Sequence, residues 1–120
     1  MHCIGVDIIE IGRIEKAIAR WGEDFLHRVY TDREVKRYRK KLPSLAVRFA
    51  AKEAVIKALG KSTSISLKEI EILSGPNGKP LVNLYGRTQD QARGLGLEGF
   101  AISLSHSREY AVALVAGEAR

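Results

Sequence analysis

Residues 3–9, CIGVDII, alternate along the chain. Ile4, Val6 and Ile8 fall on one side and Gly5, Asp7 and Ile9 on the other, the period of a strand. Asp7 thus faces away from the main apolar stripe. From 11 to 20 the period lengthens: Ile11, Ile14, Ala17 and Ile18 recur at helical spacing, with Arg13, Lys16 and Arg20 off the stripe, which predicts a basic amphipathic helix. TDREVKRYRKK (31–41) opens with Thr31 three residues before Glu34, a capping box for a second basic helix. SLAVRFAAKEAVIKALG (44–60) follows Pro43, starts at Ser44 and stops at Gly60. It is the longest and most apolar helix and is expected at the centre.

The second half is strand-like. Asn77-Gly78 separates two short runs in IEILSGPNGKPLVNLY, a hairpin signal. RTQDQARGLG (87–96) predicts a helix ended by Gly94 or Gly96, and FAISLSHSREYAVALVAG predicts two strands joined through Ser107-Arg108-Glu109. The fold class expected is α+β, a largely antiparallel sheet packed on the 44–60 helix.

With 120 residues, 45% of them hydrophobic, the chain has material for one core, and a single domain over 1–120 is expected. No run approaches the roughly 18 apolar residues of a membrane span. The start has no secretory-signal pattern, so a soluble, cytoplasmic protein with no membrane partner is expected. Cys3 is the single cysteine, which excludes an intrachain disulfide and fits a reducing compartment. A formal charge of +6 predicts acidic partners: nucleic acid, anionic membrane, a polyphosphate or an acidic protein.

An ionised carboxylate in an apolar strand needs a compensating partner. In the central helix Phe49, Glu53 and Lys57 share one face, and Arg48 and Lys52 a neighbouring one. Glu53 and Lys57 suit an exposed helical salt bridge. If the helix is central, however, Asp7 and Glu53 can answer each other through a divalent cation. Mg²⁺ takes one or two carboxylates and completes its shell with water and substrate phosphates. For Asp7 the competing reading is a salt bridge to a cation such as Lys52. His106, where AISLSHS leaves its strand, is either a structural residue or a phosphate or proton ligand. His2, His27 and His106 have no zinc-ligand spacing, and no P-loop or GxSxG is present.

IGVDIIEIGRI, RFAAKEAVIKALG, IEI followed by NGKP, and SLSHSREYAVALV, in that order over nearly the whole chain, resemble the holo-acyl-carrier-protein synthases, the short bacterial 4′-phosphopantetheinyl transferases. The resemblance implies transfer of the phosphopantetheine arm of coenzyme A to a serine of apo-acyl carrier protein, with Mg²⁺ as cofactor and adenosine 3′,5′-bisphosphate as product. It carries Asp7 and Glu53 over as metal ligands. It makes Glu53 and Lys57 catalytic, as proton acceptor (directly or through a metal-bound water) and as neutraliser of charge on the transferred phosphate. Arg48 and His106 match positions expected on the 3′-phosphate of coenzyme A. Arg13, with Arg20, matches a carrier-docking helix, and Phe49 an apolar wall for ligand or partner. One departure stands out: where the family often has a glycine-rich loop after IKALG, this chain has KSTSISLKEIEI. Lys61, Ser62 and Thr63 remain possible phosphate donors, from a loop less permissive in backbone conformation.

Both faces of YAVALVA are apolar, and the short chain has few helical stripes to cover the second face of its sheet. This predicts an interface, with Ala101, Ser103, Ala111 and Ala113 allowing close approach. Family resemblance makes the assembly a homotrimer with sites between subunits. Two other classes compete. A basic nucleic-acid module leaves Asp7 unexplained and has only 7% aromatics, so no nucleic-acid partner is expected. A metal-dependent phosphoester hydrolase would use the same acids.

Overall fold

A computed structural model of the chain describes residues 3–60 and 65–119. Lys61, Ser62 and Thr63, named above as possible phosphate donors, lie outside these residues, as does His2. The element order is β1 (Ile4–Glu10), α1 (Ile11–Trp21), α2 (Glu23–Val29), α3 (Asp32–Tyr38), α4 (Leu42–Leu59), β2 (Ile70–Ser74), β3 (Pro80–Leu84), α5 (Gly86–Gly94), β4 (Leu97–His106) and β5 (Tyr110–Ala119). All pairing is antiparallel, as expected, but it is divided between two sheets. One has the order β1-β5-β4, and the other is the β2-β3 hairpin that turns at Asn77-Gly78.

Helix punctuation follows the sequence in part. Thr31 and Glu34 form the reciprocal capping box at the start of α3, which stops at Tyr38 rather than running to residue 41. α4 begins two residues earlier than expected, with Pro43 inside its first turn, where a missing N–H costs nothing. Helix α2 was not anticipated; it follows Gly22, whose φ of 56° breaks the chain after α1.

The two faces of β1 are those expected, and the larger apolar stripe is the one turned away from the core. Ile4, Val6 and Ile8 are exposed on the outer face of the sheet, whereas Gly5 is buried against α4. Asp7 and Ile9 therefore face the central helix. On β5, Ala111, Ala113 and Val115 are fully buried toward α4, so Ala111 and Ala113 do not belong to the outer face as expected. Tyr110 and Leu114 do, with Ala101 and Ser103 of β4. The uncovered apolar face is thus Ile4, Val6, Ile8, Tyr110 and Leu114.

Two apolar clusters line α4. One gathers Ala50, Ala54, Val55, Ile70, Ile72, Phe100, Ala113 and Val115; the other gathers Ile11, Ile14, Leu26, Tyr30, Leu45, Ala46 and Ala111; Ile9 and Leu104 touch both. Polar groups complete this packing. Lys52, fully buried, pairs with the fully buried Glu34 at 2.6 Å and donates to the carbonyls of Leu67 (3.0 Å) and Ile70. Glu34 also accepts from the backbone of Thr31 and Ile72. Lys52 is therefore not the partner of Asp7: the α3–β2 corner needs a cation for Glu34, and a buried carboxylate is tolerable only when paired in this way. No helix of the described residues is long and apolar enough to cross a membrane.

Candidate active site

The acids meet because β1 lies against α4 with almost nothing between them. A Cβ on Gly5 would sit 1.8 Å from the carbonyl oxygen of Ala54 and 3.0 Å from the amide nitrogen of Ala58, so only glycine permits this approach. Asp7, two residues along the same face, is thereby brought to the Glu53–Lys57 turn. Lys57 Nζ donates to Asp7 Oδ1 at 2.9 Å and to the Val6 carbonyl at 3.1 Å. The cation on Asp7 thus comes from Lys57, which reaches off the helix to β1 and leaves the simple Glu53–Lys57 surface pair behind.

Asp7 and Glu53 line one cleft of about 360 Å³ together with Ile9, Arg13, Ile14, Ala17, Phe25 and Phe49. Burial raises the Glu53 carboxyl above the usual range and the charge of Asp7 raises it further; Lys57 draws it back only in part. Two half-buried carboxylates that repel each other form a hard-oxygen donor set that a dication would relieve. Among the described residues no group of three or more His, Cys, Asp or Glu could hold a metal. An ion here would have few protein ligands, which suits Mg²⁺ with its retained waters and not a structural zinc.

Arg48 and His106 are brought together elsewhere, in a second cleft with Ser74, Gly78, Pro80 and Ile102. Arg48 is buried, and much of its guanidinium is committed: Nε donates to the Ile72 carbonyl at 2.8 Å, the terminal nitrogens reach Ser44 O and Ser74 Oγ, and the plane stacks 3.6 Å from the Tyr38 ring centroid. His106 is exposed at the end of β4. Arg48 and Glu53, five residues apart on α4, point about 140° from each other around the helix axis. One chain therefore presents its acid pair and its Arg48–His106 cleft on different sides.

The exposed Arg13 belongs to the acid cleft with Phe49. Arg20 lies one step outside, its guanidinium 4.9 Å from the Trp21 ring centroid. Phe25, on the unanticipated α2, also lines the acid cleft. Its signal was present in the acids Glu23 and Asp24 ahead of Phe25, Leu26 and Val29, a short helix with a charged first turn. Gly5 was legible as the glycine of an otherwise apolar strand.

The model of the 4′-phosphopantetheinyl transferase superfamily matches residues 3–115. A holo-[acyl-carrier-protein] synthase of Dehalococcoides mccartyi is 54% identical over 95% of this chain and 96% of its own length; that of Herpetosiphon aurantiacus is 45% identical over 98% of each. Among solved structures, the Helicobacter pylori holo-[acyl-carrier-protein] synthase in complex with coenzyme A superposes with a TM-score of 0.85 at 32% identity, covering 96% of this chain and 99% of that one. The Plasmodium yoelii holo-ACP-synthase does so with a TM-score of 0.87 at 27% identity, over 100% and 98%. Motifs, fold and relatives agree, and the chain belongs to the holo-[acyl-carrier-protein] synthases of the 4′-phosphopantetheinyl transferase superfamily.

Proposed function

We propose that the Asp7–Glu53 cleft is where this chain performs the reaction of its family, transfer of 4′-phosphopantetheine from coenzyme A to a serine of apo-acyl carrier protein. The observation that carries the assignment to this cleft is the meeting of the two carboxylates, one from β1 and one from α4, beside a lysine. In the reaction the serine oxygen bonds to the β-phosphorus of coenzyme A. The bond from that phosphorus to the bridging oxygen breaks, and adenosine 3′,5′-bisphosphate leaves. Such a transfer depends chiefly on positioning and charge neutralisation.

Asp7 and Glu53 are the residues that would hold Mg²⁺. When bound, the ion supplies positive charge to the pyrophosphate oxygens. Lys57 Nζ, beside Asp7, neutralises charge on the transferred phosphate. The serine proton goes to a Glu53 carboxylate oxygen, directly or through water. Arg48 and His106 are assigned to the 3′-phosphate of coenzyme A. Arg48's commitment to Ile72 and Ser74 suits it to hold the rim of that cleft as much as to touch the ligand. Arg13, Arg20 and Phe49 face the acidic carrier.

Because the two clefts lie on different sides of α4, one coenzyme A engages both most simply across two copies of the chain. The uncovered face of Ile4, Val6, Ile8, Tyr110 and Leu114 offers the surface for that assembly, in the family's trimeric form. We place the enzyme in the cytoplasm, acting as one domain on carrier proteins and not on nucleic acid or membrane. The test is to incubate the protein with coenzyme A, Mg²⁺ and an apo-carrier and weigh the carrier intact. One added phosphopantetheine supports the reading. Coenzyme A cleaved with the carrier unmodified would make it a hydrolase instead.

A further inference from the structure

Trp21 extends the stripe of α1 beyond the core. It stands three residues after Ile18 in the series Ile11, Ile14, Ile18, at the spacing of a buried face. Ile11 and Ile14 are buried, yet Trp21 is 57% exposed. The ring also has a defined setting, since Arg20 stacks on one face at 4.9 Å, and a third cleft, of about 380 Å³, opens beside it, walled by Asp24, Phe25, Arg28 and Val29. Phe25 lines both this cleft and the one holding Asp7 and Glu53. The two hollows therefore share Phe25 as a wall, one holding the acids and the other lying beside Trp21.

The charge around the two hollows selects their occupant. Beyond Asp7 and Glu53 in the first hollow, Arg13 and Arg28 are exposed at the walls and Arg20 stands beside Trp21, against the acid Asp24, while the neighbouring Glu23 is already held by Arg39. An aromatic ring beside an apolar hollow and rimmed by arginines suits an acidic protein surface that offers one long apolar side chain between its carboxylates. From Ile14 to Trp21 is about 10 Å along the helix, well inside the footprint of one protein partner. We infer that Trp21 and the cleft beside it form a second anchor for the acidic carrier, receiving an apolar carrier side chain while the carrier serine lies at Asp7 and Glu53. The inference rests on the transfer reading above. It adds a residue that sets which carriers dock well.

Trp21 is the one tryptophan of the chain, so its emission reports on this anchor directly. Titrating the full-length protein with apo-carrier should shift or quench that emission saturably, while coenzyme A alone leaves it unchanged. Trp21→Ala should raise the carrier KM by about tenfold, as expected for a buried aromatic anchor, and leave the coenzyme A KM as it is; Trp21→Phe should retain most of the affinity. The exposed position means both variants should fold, which circular dichroism checks. Turnover with unmoved emission, or an unchanged carrier KM in Trp21→Ala, overturns the anchor and leaves the transferase reading standing. A wild-type protein that modifies no carrier sinks both.

Discussion

Gly5 lies so close to the backbone of Ala54 that a methyl group at position 5 would sit 1.8 Å from the Ala54 carbonyl oxygen. Neither partner atom is on a flexible side chain, so the strand must move if the glycine is replaced. Gly5→Ala should lose roughly 1–3 kcal/mol of stability, the usual cost of overpacking. It should also lower transfer more than that loss explains, because Asp7 moves away from Glu53. Denaturant unfolding alongside the transfer assay checks this. Unchanged stability together with unchanged turnover would mean that the close approach is incidental.

Glu71 provides the pH-dependent contact of the β2–β3 hairpin. It accepts from Thr31 Oγ1 at 2.6 Å, Tyr85 Oη at 2.9 Å and Asn83 Nδ2 at 3.2 Å. Burial raises its carboxyl, but these bonds and the charge of Arg33 together bring it below the ordinary value of 4.5. A folded pKa below the unfolded one gives stability that is complete above the unfolded value and disappears as pH falls through the folded value. Glu71→Gln should therefore cost about 1–3 kcal/mol at neutral pH, and the gap from wild type should narrow below about pH 4. Unfolding curves at the two pH values decide it; a gap independent of pH would show that the charge of Glu71 contributes nothing.

Docking through α1 predicts that Arg13→Glu raises the carrier KM while sparing coenzyme A, and that Arg20→Glu does so less, since the Arg20 guanidinium is partly taken up by Trp21. Salt should weaken the wild-type carrier interaction in the same direction. A carrier KM indifferent to both charge reversal and ionic strength would move the docking surface off this helix.

The outer sheet face is apolar at Ile4 (63% exposed), Val6 (52%), Ile8 (63%) and Leu114 (49%), a patch of the kind that marks an interface. Leu114→Glu should break the assembly and, by separating the two clefts, abolish transfer. Sedimentation equilibrium should show the variant at the 13.3 kDa chain mass and the wild type at three times that mass. A fully active wild-type monomer would refute the shared site.

Much of the fold was legible because local chemistry and final structure agree at particular residues: the Thr31–Glu34 box, the Asn77-Gly78 turn, and Gly60 closing α4. The direction in which β1 faces was not. Alternation shows that Ile4, Val6 and Ile8 share a side, but the buried side is set by what packs there, and a glycine that must touch a helix outweighed three large apolar residues that find no cover within the chain. The acid pair was readable as a possibility from Asp7 in an apolar strand and Glu53 on a central helix. The roles of the cations were not, because helical spacing cannot say that Lys52 and Arg48 turn inward to β2 while Lys57 reaches across to β1. Trp21 went unremarked in the sequence, and its exposure shows that the stripe of α1 overruns the core.

The proposed function makes Asp7 and Glu53, from two elements, one Mg²⁺-dependent site. Transfer to an apo-carrier, followed by intact mass across a Mg²⁺ titration, tests this in wild type, Asp7→Ala and Glu53→Ala. The wild type should turn over only with Mg²⁺. Each variant should stay folded and lose transfer at every Mg²⁺ concentration, because each removes a ligand and leaves the core intact. Wild-type-like turnover in either variant, or undiminished wild-type transfer after metal chelation, would mean that the two carboxylates hold no catalytic Mg²⁺.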